Sequence, residues 1–158
     1  MKKLSILLAL VMVFAGMGIG AAASVFYTVN APMPTEKSTP YTAPITLNKT
    51  MQIKYMIKDN TTKYGIINHE ITKKKNQTVF PLISFNGTVA SLIFPENLTV
   101  YYTVNGKQPT NKSAIYTSPI ILDKNMIIKY LIVSNNTTYT GIVKHTPCKF
   151  GKGCNLRM

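Results

Sequence analysis

The sequence predicts an all-β protein of two β-sandwich modules in tandem, preceded by an N-terminal signal helix. Apolar and polar side chains alternate along Met51–Lys58 and Met126–Val133, which is the period of a strand with one buried face. Threonine, valine, isoleucine and tyrosine dominate such runs, and prolines separate them. Asn86-Gly87 and Asn105-Gly106 are favoured hairpin dipeptides. Short strands separated by turns every eight to twelve residues or so are typical of a β-sandwich.

An internal duplication is the strongest signal in the chain. At an offset of 75, residues 25–57 are identical to their partners at 20 of 33 positions. One inserted residue near Ser134 moves the offset to 76 for the rest of the repeat. Chance does not produce such agreement, so we interpret the two segments as copies of one module. The matched segments include Val25–Asn30 with Val100–Asn105, Met51–Tyr55 with Met126–Tyr130, Gly65-Ile66 with Gly141-Ile142, and His69 with His145.

The two copies differ at their start. Before the second copy, Val79–Phe85 and Val89–Phe94 flank Asn86-Gly87 and predict a two-stranded opening hairpin. The first copy begins at Ser24 with no such hairpin, which predicts an unpaired sheet edge and a partly uncovered core. We therefore expect residues 76–146 to fold independently, residues 24–72 to fold poorly alone, and the first module to self-associate through its open edge. The alternative cover within the chain is the second copy's apolar face of Ile127, Leu131 and Val133.

The N-terminal segment has the layout of a secretory signal peptide. Lys2 and Lys3 precede the apolar run Leu4–Phe14, and a Gly/Ala-rich stretch ends at Ala23. The alternative is a retained membrane anchor, because residues 4–23 are just long enough to span a bilayer. Three glycines weaken a helix near the end of that segment, so the sequence favours cleavage after Ala23 and a secreted or cell-surface location.

These features divide the chain into five segments. Lysines concentrate between the two copies, and the last residues lie beyond the repeat. The predicted segments are a signal peptide at 1–23, a first β module without its opening strands at 24–72, a basic linker at 73–78, a second β module at 79–145, and a cysteine-containing tail at 146–158.

The second copy resembles the chitobiase/β-hexosaminidase C-terminal module. The resemblance rests on Val100-Tyr-Tyr-Thr-Val-Asn-Gly-Lys-Gln-Pro-Thr110, on Tyr116 with Pro119-Ile120, and on the alternating strand around Ile128-Lys129. It covers most of residues 79–145 and, less completely, residues 25–70. The resemblance implies an immunoglobulin-like sandwich of the kind found beside glycosidase domains and as repeats in adhesin-like surface proteins. It implies no catalytic residues, because the module is an accessory.

The side chains needed for catalysis or metal binding are scarce. A glycosidase needs two carboxylates across a cleft, whereas the five acids are scattered, and Glu36 and Asp59 become Asn111 and Asn135 in the second copy. His69 and His145 occupy equivalent positions and are interpreted as inherited strand-end residues rather than metal ligands, which occur in clusters of three or four. We therefore expect no enzyme activity, no metal and no cofactor. The acids are Glu36, Asp59, Glu70, Glu96 and Asp123.

The chain is strongly basic, with a formal net charge of +13 that falls to about +11 if Lys2 and Lys3 leave with the signal peptide. An exported basic protein should bind an anionic cell envelope or polysaccharide. Export argues against nucleic acid as the partner. The alternative interpretation is that the lysines keep a β-rich protein soluble and protect its sheet edges.

Eight Asn-x-Ser/Thr triplets occur, an excess for a chain of this composition. In an exported protein they are candidate N-glycosylation acceptors on turns and solvent-exposed faces. The alternative is that Asn- and Thr-rich turns produce the triplet without modification. The candidates are Asn48, Asn60, Asn76, Asn86, Asn97, Asn111, Asn135 and Asn136.

The tail contains the chain's two cysteines, Cys148 and Cys154. In an oxidising compartment an even count predicts a disulfide, here a small loop outside the sandwiches. Lys149, Lys152 and Arg157 surround Phe150 and are suited to contact an anionic surface. A disordered basic tail is the alternative.

Together these features predict a secreted or cell-surface, non-catalytic protein with an envelope-structural or adhesin-like role. The runner-up is a carbohydrate-binding accessory module of a glycan-processing system. Sugar binding usually requires exposed aromatic rings, and the chain has no tryptophan. The candidate rings are Tyr41, Tyr64, Tyr116, Tyr139 and Phe150.

Overall fold

The alternating segments form strands in the computed structural model, which describes residues 22–73, 79–134 and 137–148. The all-β prediction is confirmed, and no helix of the described residues is long and apolar enough to span a membrane. The predicted signal helix, except for Ala22 and Ala23, lies outside the described residues. The strands are β1 (Ser24–Val29), β2 (Thr39–Pro40), β3 (Ile45–Thr46), β4 (Met51–Lys58), β5 (Thr62–Lys73), β6 (Leu82–Asn86), β7 (Val89–Ile93), β8 (Thr99–Thr103), β9 (Ala114–Ile115), β10 (Ile120–Ile121), β11 (Met126–Ser134) and β12 (Thr137–Cys148).

The described strands form two antiparallel sheets packed as a sandwich. The larger sheet has eight strands in the order β2-β1-β4-β5-β12-β11-β8-β9, and the smaller has four in the order β10-β7-β6-β3. Side chains facing inward from both sheets form one continuous apolar core. Its fully buried members include Leu47, Ile53, Ile67, Ile83, Leu92, Val100, Ile128, Ile132 and Val143.

The two copies share both sheets instead of forming two separate sandwiches. In the larger sheet, β5 of the first copy pairs with β12 of the second from Tyr64–Cys148 to Lys73–Thr140. In the smaller sheet, β6 pairs with β3 of the first copy and β7 pairs with β10 of the second. The β-sandwich prediction is confirmed, whereas the arrangement of the copies differs from two independent modules in tandem.

The predicted hairpin at residues 79–94 forms, but its two strands serve different copies. Asn86 pairs with Val89 across a two-residue turn whose first residue, Gly87, has a φ of +56°, as a type II′ hairpin turn requires. On β6, Phe85 contacts Tyr41 and Tyr55 of the first copy edge-to-face. The interpretation that both strands open the second copy is therefore wrong, because β6 covers the core of the first.

The alternative cover proposed for the first module is also wrong. Ile127, Leu131 and Val133 lie on the face of the larger sheet that points away from the smaller sheet, and Ile127 is 42% exposed. They do not pack on the first copy's core. The strand that completes the first copy comes after it in the sequence, which is why a comparison of the residues before each copy missed it.

Because the two copies share their sheets, we expect that neither fragment of the chain, 24–73 or 79–148, folds alone. A fragment of residues 79–148 would expose the edge of β12 along its length and leave β6 without its partner β3. Circular dichroism melts of fragments 24–73 and 79–148 should each lack a cooperative transition, whereas the full chain should show one. A cooperative, monomeric melt of the second fragment near the melting temperature of the full chain would contradict this expectation.

Candidate functional site

The two histidines that occupy equivalent repeat positions form buried hydrogen bonds between the copies. The Nε2 atom of His69 lies 2.8 Å from the hydroxyl of Tyr130, and the Nε2 atom of His145 lies 2.7 Å from the hydroxyl of Tyr55. Each tyrosine thus contacts the histidine of the other copy. Both histidines are 2% exposed, so these bonds connect the halves inside the core.

The hydrogen-bond partners determine the tautomer of each ring. Nδ1 of His69 lies 2.8 Å from the carbonyl oxygen of Lys49, and Nδ1 of His145 lies 2.8 Å from that of Lys124. A carbonyl oxygen only accepts, so Nδ1 carries the proton and the neutral Nε2 accepts from the tyrosine hydroxyl. Because both ring nitrogens have protein partners, neither histidine offers a lone pair to a metal ion. Among the described residues no group of three or more His, Cys, Asp or Glu could hold a metal.

Burial keeps all four of these side chains neutral. Desolvation lowers the pKa of His69 and His145, and the hydrogen bond to a carbonyl oxygen partly opposes it in each case. Desolvation also raises the pKa of Tyr55 to about 12 and raises that of Tyr130. The arrangement is therefore a neutral network with the tyrosines as donors, suited to joining the two copies and not to proton transfer at neutral pH.

Two glycines provide the space for the tyrosine rings. Gly65 pairs with Tyr55 across β4 and β5, and a Cβ atom on Gly65 would lie 2.3 Å from that ring. Gly141 stands in the same relation to Tyr130 across β11 and β12, at 2.2 Å from the hydroxyl oxygen. The repeated Tyr, Gly and His positions thus form two equivalent units, each with the tyrosine and glycine of one copy and the histidine of the other. The sequence contained this signal as a histidine repeated at equivalent positions. The interpretation of both as strand-end residues is wrong, because they lie inside β5 and β12 and point into the core.

The outward-facing surface of the eight-stranded sheet carries a diagonal of lysines. We call this surface the outer face; it contains Lys54 on β4, Lys144 on β12 and Lys129 on β11. From the strand spacing and rise, the diagonal spans roughly 20 Å. The ion pairs among the described residues join Lys58 to Glu36 and Lys63 to Asp59, so none of the three lysines belongs to them. Glu70 lies on the same face, and Lys58 at the end of β4 also points outward and pairs with Glu36.

Apolar side chains lie on both sides of the lysine diagonal. On one side, Met56 and Ile66 are buried in a small cluster with Phe26 and Tyr64, outside the core between the sheets. The other side is more open. Its members Tyr101, Ile127, Leu131 and Ile142 are half-buried or exposed. The outer face therefore combines positive charge with accessible apolar surface on hydrogen-bonded strands.

Most of the aromatic rings considered for sugar binding belong to the core. Tyr41 packs edge-to-face on Phe85, and Tyr116 packs on Phe94 in the same way. Tyr139 is 7% exposed. Tyr64 does lie on the outer face, and Phe150 lies outside the described residues. Phe26 and Tyr101, which were not among the candidates, are additional outer-face rings among the described residues.

Two carboxylates line a shallow depression of about 280 Å³ near the start of β1, but their environment does not suit acid catalysis. Glu36 pairs with Lys58, and Asp59 lies 3.9 Å from Lys63. Hydrogen bonding to the Thr61 backbone lowers the pKa of Asp59, whereas a general acid needs a raised one. The depression does not provide the acid and nucleophile pair of a glycosidase.

The predicted glycosylation acceptors that the structure describes are all exposed. They lie in loops and turns or, for Asn86, at the end of a strand beside a turn: Asn48, Asn60, Asn86, Asn97 and Asn111. Asn76, Asn135 and Asn136 lie outside the described residues. Cys148 is the last described residue of β12, facing outward opposite Tyr64, and Cys154 lies beyond the described residues. Glycosylation and the Cys148–Cys154 disulfide therefore stay predictions.

The shared sheets and the paired copies define a duplicated β-sandwich. Comparison with known families matches residues 19–67 and 84–144 to the chitobiase/beta-hexosaminidase C-terminal domain. The chain belongs to this family, whose members are β-sandwich accessory modules found in glycoside hydrolase-related proteins. The resemblance seen in the sequence is confirmed. No curated protein and no solved structure gives a match.

Proposed function

We propose that this protein is a non-catalytic module of the cell surface or of the secreted fraction that binds an anionic polymer of the envelope through its outer face. Its role is envelope-structural or adhesin-like. The observation that supports this most is the diagonal of Lys54, Lys144 and Lys129, three cations on one regular sheet face without a carboxylate partner among the described ion pairs. The net charge of +13 adds long-range attraction to the same class of partner.

The geometry of the face suits an extended polymer better than a small ligand. The lysines lie about 8 to 12 Å apart by strand spacing and rise, so a linear chain of acidic groups contacts them in series. Apolar rings and aliphatic side chains beside them provide contacts for the sugar or polymer backbone. Secretion through residues 1–23 and glycans on the exposed sequons belong to the same proposal.

Removing the three outer-face lysines should weaken binding to a polyuronate such as alginate. We expect the Lys54→Gln/Lys129→Gln/Lys144→Gln variant to bind about tenfold more weakly at low salt, from ~0.5 kcal/mol for each lost contact. Binding of the unaltered protein should fall steeply as salt rises through about 0.1 to 0.5 M, because screening lengths shrink to a few Å. Isothermal titration calorimetry measures both effects.

The matched control removes three exposed lysines from elsewhere, in the variant Lys37→Gln/Lys107→Gln/Lys112→Gln. It has the same net charge and should retain most of the affinity. Equal losses in the two triple variants would show that net charge, not the outer face, governs binding.

The second candidate is a carbohydrate-binding accessory role, favoured by the outer-face rings Tyr64 and Tyr101 and by the family's occurrence in glycoside hydrolase-related proteins. For the same titrations, this candidate predicts an affinity that does not depend on salt. If the affinity is unchanged by salt and a soluble neutral oligosaccharide competes for binding, the carbohydrate-binding role replaces the electrostatic proposal.

A further inference from the structure

The contact between the two halves of the chain is symmetric. We define the first half as β1–β6 and the second half as β7–β12. Along β5 and β12, from Gly65–Pro147 to Ile71–Gly141, each pair of residues recurs with the roles of the copies exchanged, on either side of a central pair. Such reciprocal contacts are the pattern of an isologous interface between two copies of one module. The central pair is Asn68–Lys144, and the flanking reciprocal pairs are Ile67–His145 with His69–Val143, and Ile66–Thr146 with Glu70–Ile142.

The same symmetry extends through the smaller sheet. Ile83 and Leu92 form its central pair, and the flanking residues Phe85 and Phe94 play equivalent parts. Phe85 packs on Tyr55, and Phe94 packs on Tyr130. The half-to-half contact therefore comprises two strand pairs and two buried Tyr–His bonds. The connection between the halves is the turn at Gly87 and Thr88.

We propose that two copies of the chain exchange halves through this turn to form a closed dimer. In the exchanged form β6 and β7 run on as one extended strand, which pairs antiparallel with the same strand of the second copy. Ile83 of one chain then faces Leu92 of the other, the contact that exists within one chain. Every contact outside the turn is retained, so turn conformation and protein concentration set the monomer–dimer equilibrium.

The central pair, Asn68 and Lys144, determines which half of the chain can pair with which. Pairing of two second halves would place Lys144 opposite Lys144, and like charges directly opposite each other destabilise a sheet. Exchange keeps the Asn68–Lys144 pair of the single chain. In a dimer, the first half of one copy therefore pairs with the second half of the other. The dimer also presents two outer faces on one particle.

The test is Gly87→Val in the full chain. A β-branched residue is strained at a φ of +56°, whereas no atom lies within 4 Å of the added Cβ. The strain is thus purely a backbone effect, and it disappears when the turn opens into an extended strand. After refolding from urea, analytical ultracentrifugation should show a dimer association constant about 10- to 100-fold higher than that of the unaltered chain.

Gly106→Val is the matched control. Gly106 has a φ of +74° in the connection between β8 and β9, and a Cβ there makes ordinary contacts at 3.6 Å and beyond. It introduces a similar strain away from the hinge, so it should lower stability and leave the protein monomeric. A Gly87→Val protein that stays monomeric with native sheet content at all concentrations would overturn the proposal, as would equal dimerisation of Gly106→Val.

If Gly87→Val does not refold, the unaltered chain decides. Isotopically heavy and light chains are unfolded together and refolded at high concentration. Native mass spectrometry should then find mixed dimers that persist on dilution, because separating them requires unfolding. Monomers alone would overturn the proposal.

Discussion

Replacing Gly65 or Gly141 by alanine is expected to cost roughly 3 to 5 kcal/mol of unfolding free energy, a large part of the typical total. The added Cβ would lie within 2.3 Å of the Tyr55 or Tyr130 side chain. That ring cannot move without breaking its buried bond to His145 or His69. The cost combines overpacking with an unsatisfied buried imidazole nitrogen. Urea denaturation followed by circular dichroism measures it.

Gly87→Ala is the matched control, because its Cβ meets open space and its cost is limited to the positive φ. A further variant separates the ring clash from other causes. Combining Gly141→Ala with Tyr130→Ala removes the obstructing ring. The unfolding free energy lost by the double variant should therefore be clearly less than the sum of the losses of the two single variants. Full additivity, or a Gly65→Ala protein as stable as the unaltered one, would contradict the described contact.

Acidification is expected to produce the second large effect. The pKa values of His69 and His145 are lowered in the folded protein, whereas the unfolded value is about 6.5. Between the folded and unfolded values, the unfolded chain binds protons that the folded chain does not, so stability falls as pH falls. The unfolding free energy should be level near pH 7 to 8 and then decline below about pH 6.5, with a slope of at most about 2.7 kcal/mol per pH unit for two protons.

Urea titrations at a series of pH values test this. His69→Gln and His145→Gln should each remove about half of the slope, although each lowers stability at pH 7 by disrupting a buried hydrogen bond. Both declines should begin near the unfolded value of about 6.5, and Asp123, which partly opposes the lowered pKa of His145, reduces the total stability that His145 loses on acidification. Asp59, whose pKa is lowered, contributes a further loss only at more acidic pH. A flat profile between pH 7 and 5 would show that the histidines are not held neutral.

The fold class, the duplication and the positions of most strands could be predicted because their signals are local. A strand with one buried face has a period of two whatever it pairs with, so Met51–Lys58 and Met126–Ser134 are recognisable without a partner. The Asn86-Gly87 turn was predictable because its signal is also local. A two-residue hairpin turn requires a residue with a positive φ, and glycine at position 87 adopts it.

The sequence by itself therefore determined the all-β class, the family, the repeated module and the equivalence of the two histidines. Only the tertiary structure decided that β6 belongs to the first copy and β7 to the second, and that Tyr55 bonds to His145 and Tyr130 to His69. A strand's own residues specify which face is buried, but not which distant strand lies beside it. That choice depends on closing long loops and covering two cores at once, and here one hairpin covers both.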